Sequence, residues 1–426
     1  LENIGLIVVD EEHEQSYKQT DAAPAYNARD VALYLGKMHD ALVVLGTATP
    51  SFESYYNVHI KKHDLIEMME RANRRPLPII TLVDMRKERA QPVFSALLLQ
   101  KMKERIELGQ QIILLQNRRG YAAFEQCATC GYISKCPDCE VSLTYHSFDE
   151  KLRCHYCGFS IPAAHYCPNC GGKEILRKGV GTQRIVEELQ LNFKDIPYLR
   201  MDQDTTRGKN AFDQILSEFR KGDIPVLLGT QMISKGLDFP RVTLVGVISA
   251  DVGLNVPDFR SSERVFQLLA QVAGRSGRSE LTGEVVIQSY HMEHYAIQYA
   301  QQHDFKGFYK EEIKHRQNYY YAPFVRIILV TISAGKVSDA INLSRQLAIP
   351  LRRMLKSYTD VIGPAPAALS RLRNLYRWQI MLKVDPHRDP QGKRTKQVLS
   401  DLTAPYLKNR KTGIFIHIDV DPSFSG

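Results

Sequence analysis

Cys127-Ala128-Thr129-Cys130-Gly131 opens a run of four Cys-x-x-Cys knuckles that closes at Cys167-Pro168-Asn169-Cys170-Gly171. Between them lie Cys136-Pro137-Asp138-Cys139 and Cys154-His155-Tyr156-Cys157, and the four knuckles hold all eight cysteines of the chain. Gly131, Gly158 and Gly171 each follow a knuckle directly. A glycine there lets the backbone turn round a sulfur with positive φ, and the intervening Pro-Asp and Pro-Asn are turn residues. Four ligand pairs suffice for two closed tetrahedral zinc sites of four cysteines each. Disulfides or scattered buried thiols are the plain alternatives, but a disulfide scaffold suits a small secreted domain rather than 426 residues. Eight thiolates leave no coordination position for water, so both sites read as structural. His146, His155 and His165 then read as ordinary surface or packing residues. Spacing leaves the pairing open: sequential, interleaved and nested arrangements all satisfy it.

Outward from the knuckles the pattern is α/β. Upstream, Leu6-Ile7-Val8-Val9 and Leu42-Val43-Val44-Leu45 are continuous apolar runs, which predict parallel strands buried on both faces. A helix is expected over 25–38 between them, another over 95–108, and a strand at Ile112-Ile113-Leu114-Leu115. Downstream, helices over 182–192 and 210–221 alternate with strands near 197–201, 225–228, 242–248 and 284–289. The cysteine segment is thus an insertion into an α/β domain. From about 320 a strand over 327–332, a helix over 337–357, a hairpin around 368–384, a helix near 394–407 and a last strand over 413–420 predict a compact α+β domain.

Composition is ordinary, at 44% hydrophobic and 24% charged, and no apolar run approaches the ~18 residues of a membrane span. The formal charge of +9 is concentrated at the end: residues 351–426 carry 14 Lys and Arg against six Asp. A basic terminal domain is a footprint for phosphate backbones.

Three stretches carry chemistry. Asp10-Glu11-Glu12-His13 follows a buried strand, where open α/β sheets bind ligands; Asp10 can hold Mg2+ through water, and Glu11 can orient or deprotonate the attacking water. In Gln271-Val272-Ala273-Gly274-Arg275-Ser276-Gly277-Arg278, two arginines three residues apart share a helical face and can clamp a γ-phosphate. In Gly229-Thr230-Gln231-Met232-Ile233-Ser234-Lys235-Gly236-Leu237-Asp238, Thr230 and Lys235 suit a nucleic-acid phosphate, while Gly236 and Asp238 lead towards the nucleotide. Solvated acidic and basic loops are the plain reading of each stretch by itself.

Their order is more telling. With Gly46-Thr47-Ala48-Thr49-Pro50-Ser51, these stretches resemble motifs II, III, V and VI of superfamily 2 helicases. The knuckle insertion after Asn117-Arg118-Arg119-Gly120-Tyr121, with Gly181-Thr182-Gln183, Pro257-Asp258-Phe259-Arg260, Gly363-Pro364-Ala365-Pro366 and Tyr376-Arg377-Trp378-Gln379, is similar to the bacterial primosomal protein N′ (PriA) family of replication-restart helicases. The resemblance implies RecA-like helicase lobes, the first truncated, with a zinc-binding insertion and a C-terminal α+β domain. It divides the chain into a remnant of lobe 1 (1–75), lobe 2 (76–125 and 172–300), a two-zinc insertion (126–171) and a DNA-binding domain (301–426). It implies a nested pairing, Cys127/Cys130 with Cys167/Cys170 and Cys136/Cys139 with Cys154/Cys157. Gln271, Arg275 and Arg278 would meet ATP and Mg2+ across a cleft from Asp10 and Glu11.

Gln15-Ser16-Tyr17-Lys18-Gln19 resembles the family's aromatic-rich loop, with Tyr17 stacking on a base and Lys18 holding a phosphate. Arg371, Arg373, Tyr376, Arg377 and Trp378 interleave charge with aromatics, as a phosphate track with stacking platforms would. The family implies 3′-to-5′ unwinding, forked and single-stranded DNA, single-stranded-DNA-binding protein and other primosome proteins as partners, and a cytoplasmic location. No Gly-x-x-x-x-Gly-Lys-Ser/Thr phosphate loop occurs in the chain. In the family that loop and a DNA-end-binding domain lie upstream of where Leu1 falls, so this chain resembles the C-terminal part and is expected not to hydrolyse ATP alone. The competing reading is a non-catalytic, zinc-stabilised module for DNA binding and partner docking.

Overall fold

The computed structural model describes residues 3–20, 25–68, 70, 77–88, 93–116, 124–177, 182–202, 205–206, 208, 210–230, 239–274, 283–408 and 413–423. The chain opens with β1 (Leu6–Asp10), α1 (Ala28–His39), β2 (Leu42–Gly46) and α2 (Phe52–His59). Next come β3 (Ile79–Asp84), α3 (Ala96–Glu107) and β4 (Gln111–Gln116). The cysteine segment holds short strands β5 (Gln126–Cys127), β6 (Thr144–His146), β7 (Lys151–Arg153), β8 (Ser160–Pro162) and β9 (Ile175–Leu176). Then follow α4 (Thr182–Asn192), β10 (Tyr198–Met201), α5 (Ala211–Lys221), β11 (Val226–Gly229), β12 (Val242–Ser249), α6 (Asp251–Leu254), α7 (Ser261–Ala273), β13 (Glu284–Ser289), α8 (Tyr295–Gln301) and α9 (Phe305–Asn318). The last part is β14 (Arg326–Ala334), α10 (Val337–Leu355), β15 (Thr359–Leu372), β16 (Leu375–Val384), α11 (Lys393–Lys408) and β17 (Ile414–Val420).

Six strands form one parallel sheet in the order β10-β11-β4-β12-β13-β3. Every residue of β4 and β11 is buried, which is why Ile112 to Leu115 and Val226 to Leu228 are continuously apolar rather than alternating. One face is covered by Leu98 and Met102 of α3 and Ile185 and Leu189 of α4. The other is covered by α5, α7, α8 and α9, with Phe219, Phe266, Ala296 and Phe308 at its centre. Phe308 and Tyr309 seat α9 on this body.

β1 and β2 pair in parallel as a separate two-stranded sheet. The expectation of burial on both faces fails here: Val9 is 6% exposed, but Val8 and Leu42 are 62% and 66% exposed. α2 carries the apolar contact of this unit with the body. Ser51 caps it, its hydroxyl accepting from Ser54 N, and Phe52 and Tyr55 enter the core beside Phe308 and Tyr309.

The terminal domain is an antiparallel sheet, β15-β16-β14-β17. The hairpin is longer than sequence suggested, since β15 begins at Thr359. Leu343, Leu347, Leu351 and Leu355 of α10 and Leu399 of α11 cover one face. Tyr321, Ile327, Leu329 and Met381 face the cysteine segment. No described helix is long and apolar enough to cross a membrane.

Candidate functional site

The eight thiols gather into two sets. Cys127, Cys130, Cys167 and Cys170 form one, Cys136, Cys139, Cys154 and Cys157 the other, with the sulfurs of each set within 4.8 Å of one another. Three sulfur–sulfur distances are given by Cys127–Cys170, Cys130–Cys167 and Cys136–Cys157, each 3.6 Å. A tetrahedron with Zn–S bonds near 2.3 Å has edges of about 3.8 Å. The donors therefore fit two zinc ions, and the pairing is nested. Each knuckle closes a tight turn, with Gly131, Glu140, Gly158 and Gly171 donating to the carbonyls of Cys127, Cys136, Cys154 and Cys167. All four donors have positive φ, so Glu140 takes the left-handed position that glycine fills elsewhere. A side chain at Gly131 would also strike the Tyr290 carbonyl, where the outer set rests on the parallel sheet. In the inner set, hydrogen bonds led by Cys136 push the Cys139 and Cys154 thiols up and hold Cys157 down. Four thiols so close cannot all ionise without a cation, which is what zinc provides.

The two sets differ in surroundings. Cys136, Cys139 and Cys154 lie in an apolar cluster with Tyr321, Ile327, Leu329 and Met381 of the terminal domain. Tyr321 Oη donates to the Cys139 carbonyl at 2.8 Å. His155 Nδ1 donates to the Pro366 carbonyl at 2.8 Å, and burial lowers its pKa to about 4. Cys170 of the outer set is exposed and Cys130 half-buried.

Asp10 ends β1 and is exposed. Its Oδ1 accepts from Glu11 N at 3.0 Å, and its carbonyl accepts from Tyr17 Oη at 2.6 Å. Glu11 sits at φ 48°, a strained position of the kind found at functional sites. Its Oε2 is buried, makes no hydrogen bond and lies 3.5 Å from His13 Nδ1. An orphaned carboxylate oxygen beside an exposed Asp fits a water-bearing Mg2+.

Two residues of the same stretch, given no role from sequence, do the local structural work. Glu12 is buried and accepts from Ser51 N at 2.6 Å, Ser51 Oγ at 2.9 Å, Ser54 Oγ at 2.8 Å and Arg29 Nη1 at 3.0 Å. It ties the acidic loop to the start of α2. Burial works against the Arg29 charge, but Asp30, Glu12 and Glu53 outweigh it and hold the pKa above its ordinary value. His13 Nδ1 is 2.7 Å from Thr47 Oγ1, and its Nε2 is 2.9 Å from Gln271 Nε2 of α7. Of the phosphate-facing candidates, Gln271 thus meets the acidic loop. Arg275 and Arg278 lie outside the described residues, as do Lys235, Gly236 and Asp238; Thr230 is half-buried at the end of β11, its N–H donating to the Met201 carbonyl.

A buried ionic joint holds the β1–β2 unit to the body. Arg316 of α9 bonds Glu263 at 2.7 Å and Glu312 at 2.9 Å, and Glu263 accepts from Phe52 N at 3.0 Å. Arg260 bonds Glu53 at 2.8 Å. Burial would raise the Glu53 pKa, but Arg260, Arg316 and Arg29 hold it at about 2. No sequence pattern pointed to this joint, because its members are scattered between Phe52 and Arg316.

The expected DNA contacts fare unequally. Lys18 is not offered to solvent: its Nζ is 2.6 Å from Asp419 Oδ1 and 2.7 Å from the Val420 carbonyl. Tyr17 is half-buried, bracing Asp10. Arg371 and Arg373 are exposed at the tip of the β15–β16 hairpin, where Arg373 and Asn374 turn the chain with positive φ. The Arg371 guanidinium lies 5.1 Å from the Tyr376 ring centre. Arg377 and Trp378 are half-buried on the same strand.

Three family profiles match the chain: the Primosomal protein N C-terminal domain over residues 317–423, the PriA DNA helicase Cys-rich region domain over 136–162, and the Helicase conserved C-terminal domain over 177–280. The replication restart protein PriA of Bacillus subtilis is 42% identical over 99% of this chain and 52% of its own length. The chain belongs to the PriA family. Those of Synechocystis and Chlamydia trachomatis are each 40% identical, over 90% and 99% of this chain and 47% and 56% of their own lengths. The chain thus spans about half the length of these PriA relatives. The solved structure of RecG bound to a three-way DNA junction overlaps it loosely (14% identity, TM-score 0.40, 80% of this chain, 33% of that one), and the PriA assignment rests on the sequence relatives.

Proposed function

We propose that this chain is the C-terminal motor and DNA-binding part of an ATP-dependent, 3′-to-5′ DNA helicase. It acts in the bacterial cytoplasm at stalled or abandoned forks, and starts primosome assembly together with single-stranded-DNA-binding protein and other primosome proteins. The observation that carries the reading is the His13–Gln271 contact at 2.9 Å, which sets the acidic loop against the helix leading into Arg275 and Arg278. Bound ATP and Mg2+ supply a γ-phosphoryl group for transfer to water. Asp10 would hold the cation's water shell, and Glu11, with its unbonded Oε2, would orient the attacking water. Gln271 reports the state of that loop to the opposite lobe through His13. Arg275 and Arg278 would balance the charge of the shifting phosphate. On the DNA side, Tyr17, Lys18, Thr230 and Lys235 would follow the single strand, and the hairpin with Arg371, Arg373, Tyr376, Arg377 and Trp378 would hold a fork arm.

The test is ATP hydrolysis by the purified chain with and without forked DNA, beside fork binding at two salt concentrations. The expected result is no turnover, because no phosphate loop is present in the sequence, with fork binding that weakens steeply with salt. DNA-stimulated turnover would overturn the account of the nucleotide site. Absent or salt-independent binding would overturn the DNA reading.

A further inference from the structure

Lys18 and Asp419 are the first and last members of a contact that no local feature of the chain predicts. Both side chains are nearly out of solvent, at 3% and 9% exposure, and the ammonium reaches Asp419 Oδ1 at 2.6 Å and the Val420 carbonyl at 2.7 Å. The Asp419 contact is an ion pair, and the hydrogen bond of the ammonium goes to the Val420 carbonyl. The loop is fixed on both sides of this point. Tyr17 is tied to the Asp10 carbonyl, and Lys18 forms an isolated antiparallel bridge with Asn27.

Past Val420 the chain crosses the start of α7. Arg260 Nη1 donates to the Pro422 carbonyl at 3.4 Å, Arg264 Nη2 donates to the Ser423 carbonyl, and Asp421 pairs with Arg326 at 3.0 Å. The far end of α7 carries Gln271, which meets His13. One short segment, Asp419 to Ser423, therefore touches both the loop that follows the acidic motif and the helix that faces it.

We propose that this segment is an intramolecular clasp. Asp419 and the Val420 carbonyl occupy, at Lys18, the anion position that a nucleic-acid phosphate takes when single-stranded DNA enters. The inference rests on the reading of the Gln15–Gln19 loop as a single-strand contact and adds its competitor. A phosphate offers Lys18 the charge and the acceptors that it loses from Asp419, so the exchange is close to balanced and reversible. A nearly buried ammonium left without its anion is strongly unfavourable, so loss of Asp419 drives the loop outward. Because the same segment accepts from Arg260 and Arg264, displacing it also removes two contacts at the start of α7, the helix whose far end meets His13.

The test uses Asp419→Asn, Asp419→Glu, Lys18→Ala and the double variant Lys18→Ala/Asp419→Asn in the full chain. Affinity for a fluorescent oligo-dT is measured by anisotropy across a salt series. Asp419→Asn is expected to bind several-fold more tightly at low salt. Its dependence of log K on log salt should steepen by about 0.7, the value of one added phosphate contact on a single strand. The double variant should lose that gain, and Asp419→Glu should behave as the parent does. A merely structural Asp419 would not steepen the slope. Parent-like affinity and slope in Asp419→Asn would overturn the clasp while leaving the DNA reading standing. Silence from the parent and every variant at all salts would overturn the DNA reading and the clasp with it.

Discussion

His13 Nε2 and Gln271 Nε2 meet at 2.9 Å across 258 residues of sequence. The Gln271 amide can only donate through that nitrogen, so the His13 ring proton lies on Nδ1, facing Thr47 Oγ1 at 2.7 Å. Both nitrogens of one ring are thus committed, one to each side of the cleft. A double-mutant cycle of His13→Ala and Gln271→Ala in urea unfolding should return a coupling of about 1 kcal/mol. Strict additivity would mean that the pair does not interact in solution.

Arg316 is 1% exposed between Glu263 and Glu312, with its guanidinium 4.3 Å from the Phe52 ring centre. Arg316→Ala leaves two nearly buried carboxylates without their cation and should cost about 3–5 kcal/mol. Arg316→Met with Glu263→Gln should recover part of that loss. A loss under about 1 kcal/mol in denaturant titration would show that water reaches the joint.

The zinc sites should empty in order. Cys170 is exposed, whereas Cys136, Cys139 and Cys154 share an apolar cluster with the terminal domain. A chelator should take one equivalent from the folded chain and the second only as the chain unfolds, as read by a chromogenic zinc indicator. Cys170→Ser should keep the terminal domain folded, while Cys139→Ser should loosen it. Simultaneous release of both equivalents would contradict the asymmetry.

His294 Nδ1 accepts from Ala296 N at 3.2 Å, capping α8, and burial lowers its pKa to about 3. Between that value and the ordinary one near 6.5, the unfolded chain binds a proton that the folded chain refuses. Stability therefore falls as pH drops through this window. From pH 7 to 5 this single group should remove about 2 kcal/mol. His294→Asn, which can cap the helix without titrating, should lose that part of the pH dependence. An unchanged difference between the two pH values would rule His294 out as its source.

The sequence spoke clearly where burial alone decides. β4, β11, β12 and β13 are runs of Val, Ile and Leu because both sheet faces are covered, and their ends fall within a residue or two of expectation. It was silent on β3, on α7 and on α9, the last of which mixes polar and apolar residues so that its period is blurred. Knuckle spacing could not pair the cysteines, since all arrangements fit it. The Lys18–Asp419 pair was not legible, because Asp419 arrives with the last strand of the chain.

The order of the parallel sheet has a consequence for biosynthesis. β4 lies between β11 and β12, and these begin at Val226 and Val242, after the entire cysteine segment. A ribosome therefore delivers eight thiols before there is a sheet to carry them, and the apolar cover supplied by Tyr321, Ile327 and Leu329 emerges later still. In that interval the segment has its short strands and the metal to hold it together, and the metal keeps its thiolates from oxidation. A zinc-starved cell is thus expected to lose this protein while it is being made rather than afterwards.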